Sequence, residues 1–412
     1  MKDNECQEDQ RPMPLEGIRI IEFAGFHAGP GATAILGDLG ADIIKIEEPA
    51  GDPMRTWSDV GGMSFVAPNG EGLLFHFTNR NKKSLCLDIH QEEGRKIFHR
   101  LLEGADVFLT SMRRTTRTAM GIDYAAISRV NPRIIYASVS GFGPEGALND
   151  HGAFDPMGQA RSGMMFISGG EEPELLHLAI LDQSTSIGLS HAILTALFDR
   201  ERRGVGQEVH ISLYSTALWV QYVNLLMAGC IDLEPIPGDR RHFSPLRNFF
   251  RCKDGKWVIG THHPEEKYWG RLLDAIGRRD LLQDPRFRDV PSMKKNVTEV
   301  VDLFDSIFAT RTRDEWLPIL RENGLMFGPV QRIKDVLDDP QALANQYVED
   351  FVHPSLGPVR IPGYPIHFSA ASAGMRSAAP AVGEHTSSVM KGLGYSDDEI
   401  RGLKERKVLG EK

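Results

Sequence analysis

Asp182 follows the apolar run Leu178-Ala179-Ile180-Leu181 and opens a stretch with helical spacing over 184–202. A carboxylate there has two uses. As an N-cap it accepts a backbone N–H of the first turn and stabilises the helix by about 1 kcal/mol. As a nucleophile it attacks a carbonyl, and the amides of the helix start hold the oxyanion that develops. Spacing alone favours the cap, and periodicity does not separate the two. Asp155, in His151-Gly152-Ala153-Phe154-Asp155, makes a pair of acids with it.

Other groups offer different chemistry. Gly29-Pro30-Gly31-Ala32-Thr33-Ala34 has the GxGxxA form of a dinucleotide turn, and Glu47 stands where such a site keeps its ribose acceptor. Five residues separate the preceding strand from Gly29, and Pro30 lacks an amide for a pyrophosphate, so a helix start with close packing is the plainer reading. Asn79-Arg80-Asn81-Lys82-Lys83-Ser84 reads as a solvated basic loop, or as a funnel for a phosphorylated ligand. Arg113, Arg114 and Arg117 follow a strand, at the end where parallel sheets bind ligands. His262-His263 has no partner at metal-ligand spacing, so a structural role is expected and no metal is called. No GxxxxGK[ST], GxSxG or HExxH occurs, which leaves phosphate-loop, α/β-hydrolase and zincin chemistry without support.

These residues need elements to position them. Short apolar runs at 18–23, 42–47, 106–110, 134–138 and 207–211 alternate with helical patterns such as Glu92–Glu103, which predicts an α/β core with a parallel sheet. Residues 1–14 read as a flexible leader, 15–229 with 330–412 as a large domain, and 230–329 as a smaller inserted α+β domain. The closing helices 386–393 and 397–406 have no sheet of their own and are expected to dock on the first domain. The longest apolar stretch, 217–230, contains Gln221 and Asn224 and is too short for a membrane span; a buried helix is expected. The 47 basic and 56 acidic residues give a net charge of −9, against a nucleic-acid or anionic-membrane surface as the main business. Cys6, Cys86, Cys230 and Cys252 are widely spaced, and the first residues lack a signal-peptide pattern, so a reduced cytoplasmic protein is expected.

From Leu15 to Leu409 the chain resembles the class III (family III) CoA-transferases, the group of formyl-CoA transferase, carnitine CoA-transferase and α-methylacyl-CoA racemase. The resemblance rests on ordered landmarks. Among them are Leu15-Glu16-Gly17-Ile18, Ala28-Gly29-Pro30, Leu39-Gly40-Ala41-Asp42, Gly51-Asp52 with Trp57, and Asn79 to Ser84. Ser140-Gly141-Phe142-Gly143, Gly204-Val205-Gly206-Gln207, Gly328-Pro329-Val330 and Gly383-Glu384-His385-Thr386 follow.

The resemblance implies a Rossmann-like large domain built from both chain ends, a smaller domain between them, and an interlocked homodimer. It makes Asp182 the nucleophile and assigns coenzyme A contacts to His27, Ala28, Gly29, Lys82, Lys83, Ser111, Met112, Met120 and Asp155. The substrates implied are an acyl-CoA and a free carboxylic acid, exchanged through an aspartyl-CoA thioester. His27 stands where formyl-CoA transferase has glutamine, Glu48 and Ala119 where it has arginines, and Ser111 where it has asparagine. Arg240 to Asn248 occupy the place of its glycine-rich loop, which implies a different acyl group.

Three other readings remain. In the racemase-like members a histidine precedes the earlier acid and a glutamate comes from the inserted domain; here Phe154 and, to within a residue, His263 take those places. A non-catalytic acyl-CoA binder is the second and a nicotinamide-dependent oxidoreductase the remote third. With the reference pKa near 3.9, Asp182 is expected to be ionised at neutral pH.

Overall fold

In the computed structural model, residues 11–67, 70, 72–177, 179–231 and 238–410 are described. Most of the expected leader, Leu178 of the run before Asp182 and the turn-rich segment 234–237 lie outside them. The chain divides into two compact units, Met1–Pro235 with Gln346–Lys412, and Ile236–Asn345.

The first unit is built on a six-stranded sheet. In chain order its strands are Arg19–Phe23, Asp42–Glu47, Lys82–Cys86, Val107–Thr110, Ile135–Ser140 and Gln207–Ser212. In space they run third, second, first, fourth, fifth, sixth, and every pairing is parallel. This is the doubly wound order, with both faces covered by crossover helices. Successive side chains therefore enter two different cores. Ile21, Ile44, Leu85, Phe108 and Tyr136 pack with Ile97, Phe98 and Leu101 of the helix Glu92–Glu103. Ile20, Ile43, Val107 and Ile135 pack on the other face with Ala32, Leu36, Leu189 and Ile193.

The helices end where local chemistry tells them to. Glu92 and Glu93 sit in the first turn of Glu92–Glu103 and Arg100 in its last, each suited to the helix dipole, with Gly104 beyond. The long helix Ile180–Arg203 stops at Gly204, which takes φ 78° in the left-handed region. The closing helices Thr386–Gly392 and Asp397–Glu405 do dock on the first unit: Val389, Met390, Ile400 and Leu403 enter the same core as Ile21. Around them, the His385 amide donates to Ser84 O at 3.0 Å and the Gly410 amide to Cys86 O at 3.1 Å. The edge strand Lys82–Cys86 is thereby covered.

The second unit has an antiparallel sheet in the order Phe327–Val330, Trp257–Gly260, Phe249–Arg251. Phe250, Trp269, Phe304, Phe308 and Trp316 fill its core, with Phe250 and Phe308 stacked at 4.6 Å. The chain leaves this unit at Asn345 and not near 330, because Phe327–Val330 is itself a strand of the small sheet. His262 is structural here: Nδ1 bonds Leu246 O at 2.9 Å and Nε2 accepts the Met326 amide at 2.8 Å.

Two expectations are corrected. The stretch 217–230 is not a buried helix: it divides between Leu213–Val220 and Tyr222–Ile231, and the second has no buried residue. Trp219 is 74% exposed and Ile231 65%. Nor is the basic string a solvated loop, because its lysines begin the edge strand and Lys82 points inward, fully enclosed. Among the described residues no helix is long and apolar enough to cross a membrane, and no cluster suits a metal ion.

Candidate active site

In a doubly wound sheet, ligands enter the crevice beyond the carboxyl ends of the two strands where the winding reverses. Here those strands are Arg19–Phe23 and Val107–Thr110, neighbours in the sheet. The segments after them are tied together: the Gly25 amide donates to Ser111 Oγ at 3.1 Å, and that hydroxyl returns a bond to Gly25 O at 3.3 Å. A cleft of about 480 Å3 opens at this point. His27, Ala28, Gly29, Ser111, Met112 and Asp182 line it, with Arg113, Arg114, Arg117, Phe154 and His210.

Asp182 reaches the cleft as the third residue of the helix Ile180–Arg203, so it is not the N-cap. The residue before the helix is Ala179, at φ 55°, which an alanine adopts only under constraint. The acid that caps the helix is Asp155. Its Oδ2 accepts the Leu181 amide at 2.6 Å and the Asp182 amide at 3.0 Å, while Oδ1 accepts from Gln159 Nε2 at 2.5 Å. Two orphan amides are satisfied, and the Asp182 side chain is left free of capping.

A second contact sets this helix against the helix Ala28–Asp38 that follows the first strand. A Cβ built on Gly31 would lie 2.3 Å from Ser186 Oγ, so only glycine lets the helix Ala28–Asp38 come this close. Ser186 Oγ lies between the two helices, its single proton shared between Ala28 O at 3.0 Å and Asp182 O at 2.9 Å.

Burial, and secondly the charge of Asp155, push the Asp182 carboxyl up to about 7. The expected full ionisation at neutral pH therefore does not hold. A carboxylate of that basicity is a better nucleophile than a surface one, at the cost of needing pH near or above 7 to be charged. Burial draws His27 below its usual value, against the pull of Gln183 and Asp155, and its Nε2 is enclosed without a hydrogen-bond partner. His210, bonded through Nε2 to Ser140 Oγ at 3.0 Å, is drawn down to about 4 by burial and then by Arg117. Both imidazoles are neutral at pH 7. Arg117 bonds Tyr136 OH at 3.3 Å and keeps a buried Nε without a partner. The arginines thus supply the positive side of the cleft, suited to an anionic ligand.

Behind Ala24 and the first turn of the helix Ala28–Asp38 lies a buried charge network. Lys45 Nζ contacts Glu22 Oε1 at 2.8 Å, Asp52 Oδ2 at 2.8 Å and Ala24 O at 2.7 Å. Lys82 Nζ contacts Glu22 Oε2 at 2.7 Å, Pro30 O at 2.8 Å and Asn79 Oδ1 at 3.0 Å. The two ammonium groups outweigh burial and hold Glu22 down to about 2. Burial draws Lys82 down to about 7, opposed by Glu22 and reinforced by Lys45.

Of the residues singled out from sequence, His27, Ala28, Gly29, Ser111, Met112 and Asp182 come together in the cleft, and four others lie elsewhere. Lys82 is in the buried network. Lys83 pairs with Asp42 at 2.6 Å on the strand surface. Met120 packs against the core under Arg114–Met120. Asp155 is buried behind Asp182. Glu47 is spent on Arg55 at 2.7 Å and Ser84 Oγ at 2.6 Å, which removes the ribose acceptor of the dinucleotide reading. His210 and Phe26 carry no sequence motif; Phe26 follows the first strand, where the rule of carboxyl ends points, whereas His210 lies inside the strand Gln207–Ser212.

Residues 15–386 match the model of CoA-transferase family III, so the chain belongs to that family and is a CoA-transferase. It is 32% identical to the (R)-2-hydroxy-4-methylpentanoate CoA-transferase of Clostridioides difficile, covering 96% of this chain and 100% of that protein. It is 31% identical to the succinyl-CoA:glutarate CoA-transferase of Mus musculus, over 95% of this chain and 89% of that one. The crystal structure of a CAIB/BAIF family protein from Brucella suis superposes with a TM-score of 0.82 at 29% identity, covering 93% of this chain and 100% of that one.

Proposed function

We propose that the protein moves CoA from an acyl-CoA to a free carboxylic acid through covalent intermediates on Asp182. The observation that carries this reading is a carboxylate in the cleft of the sheet's switch point, uncapped because Asp155 does the capping, and raised to about 7. Ionised Asp182 attacks the thioester carbonyl, the C–S bond breaks, and CoA leaves as thiolate from an acyl-aspartyl anhydride. The thiolate attacks the aspartyl carbonyl, releasing the donor acid and leaving an aspartyl-CoA thioester. The acceptor carboxylate attacks that thioester to give a second anhydride and thiolate. Attack of the thiolate on the acceptor's carbonyl yields the new acyl-CoA and restores Asp182. No ATP is consumed, since over the whole cycle one thioester is exchanged for another.

His27, Ala28, Gly29, Ser111 and Met112 hold CoA in this reading, with Arg113, Arg114 and Arg117 facing its phosphates. We also propose a homodimer. The uncovered apolar helix Tyr222–Ile231, with Ile187 and Phe198 exposed on the long helix, supports it as surface that a second copy would bury.

The test is Asp182→Ser. A capping role would tolerate serine, whereas here the variant folds and transfers nothing. Wild-type protein mixed with acyl-CoA gains a hydroxylamine-labile adduct on the peptide holding residue 182. Retained transfer in the variant would refute the covalent mechanism.

A further inference from the structure

Three rings stand together at the Asp182 cleft and are left partly open: Phe26 and Phe154 line it, and Trp57 packs on both. Phe26, Trp57 and Phe154 are in mutual contact, with centroids 5.2–5.6 Å apart and tilted planes. Aromatic sets of this geometry belong in cores, yet Phe154 is 50% exposed and Trp57 40%. Phe26 and Phe154 line the same cleft as Asp182, and Phe154 directly precedes the acid bonded to the Asp182 amide. Phe26 sits at φ 65°, a conformation that a bulky residue takes only when its surroundings impose it. Met157, 53% exposed, adds a flexible apolar side chain to the same wall.

An open aromatic patch in a cleft that also holds a nucleophile is a surface for the apolar part of what reacts. The arginines of the cleft all come from one other segment, after Val107–Thr110. A second carboxylate laid on the ring faces would lose its water there, and the rings offer it no hydrogen bond in return. Granted the transfer reaction proposed above, we infer that the acyl group handled at Asp182 is an apolar monocarboxylate, best with an aromatic end, seated on Phe26, Trp57 and Phe154, and not a dicarboxylate.

The test needs no knowledge of the natural acids, because donor and acceptor can be the same compound. Full-length protein is given 3-phenylpropanoyl-CoA with isotopically labelled 3-phenylpropanoate, or succinyl-CoA with labelled succinate, and entry of label into the thioester is followed by mass spectrometry. The expected kcat/KM for phenylpropanoate exchange exceeds that for succinate by at least about tenfold. Phe154→Ala and Trp57→Ala each lower the former by about tenfold or more and change the latter by less than about twofold. Succinate exchange as fast as phenylpropanoate exchange, or an equal fall for both acids in the variants, overturns the inference.

Absence of exchange with either acid counts against the transfer reading, and binding then decides about the rings. Fluorescence titration of Trp57, with Trp57→Phe as the blank, should show saturable change with 3-phenylpropanoyl-CoA at a concentration at least about tenfold below that needed for succinyl-CoA. Equal response to both overturns the inference, as does a Phe154→Ala variant that changes oligomeric state in light scattering, which would give the rings to a second copy.

Discussion

The backbone amide of Asp182 donates to the carboxylate of Asp155 at 3.0 Å, so the group that fixes the position of Asp182 also raises its pKa. Asp155→Asn removes the negative charge while an amide oxygen still accepts from the helix start, at the cost of the bond from Gln159 Nε2, which then faces the amide nitrogen. The acid limb of the kcat/KM profile should move to lower pH, by less than the whole displacement because burial is the larger cause. A limb that stays in place would show that Asp155 acts on position alone.

The pH dependence of stability carries its own sign. With Asp182 raised to about 7 in the folded state against 3.8 when unfolded, the unfolded chain releases this proton first. The group therefore costs nothing below 3.8, destabilises progressively from there to about 7, and keeps its full cost above. Asp182→Asn should be as stable as the wild type at pH 4 and more stable at pH 8, by on the order of 2–4 kcal/mol. Denaturant titrations at the two pH values measure the difference, and an advantage equal at both would contradict it.

Gly31→Ala should destabilise by about 1–3 kcal/mol, the usual penalty for overpacking. It should lower activity too, since Ser186 is bonded to the turn that carries Asp182. Adding Ser186→Ala removes the 2.3 Å clash while leaving the Cβ contact at 3.0 Å, so stability should recover in part. A double-mutant cycle with no coupling between the positions would be the contrary result.

Glu22→Gln leaves Lys45 and Lys82 enclosed without their shared counter-ion. A cost of about 3–5 kcal/mol is expected from breaking a buried ion pair on one side. In the wild type the contribution of Glu22 is present above pH 4.5 and is lost as the pH falls toward about 2. The variant's unfolding midpoint should therefore be flatter than the wild type's between those values.

Where sequence reading succeeded, one local signal was enough. Apolar runs bounded by glycine marked Arg19–Phe23 and Asp42–Glu47, and the family landmarks singled out Asp182 before its surroundings were visible. It failed where the deciding neighbour is distant along the chain. Lys82 reads as solvated until Glu22, 60 residues away, is placed beside it. Asp182 reads as a cap until Asp155, 27 residues earlier, takes that role. Tyr222–Ile231 reads as buried because its residues are apolar, whereas burial depends on what lies against them.

The covering of Lys82–Cys86 by the chain's last residues has a consequence for synthesis. Cys86 waits for Thr386, 300 residues later, before its amide meets that hydroxyl at 3.2 Å. On a ribosome adding about 5–20 residues per second, this strand's free edge stays unpaired for roughly 15–60 s. Over that interval the half-made sheet offers a ready template for a neighbouring chain. Slowing translation near residue 345 should therefore increase aggregation, and supplying residues 346–412 as a separate peptide should lessen it.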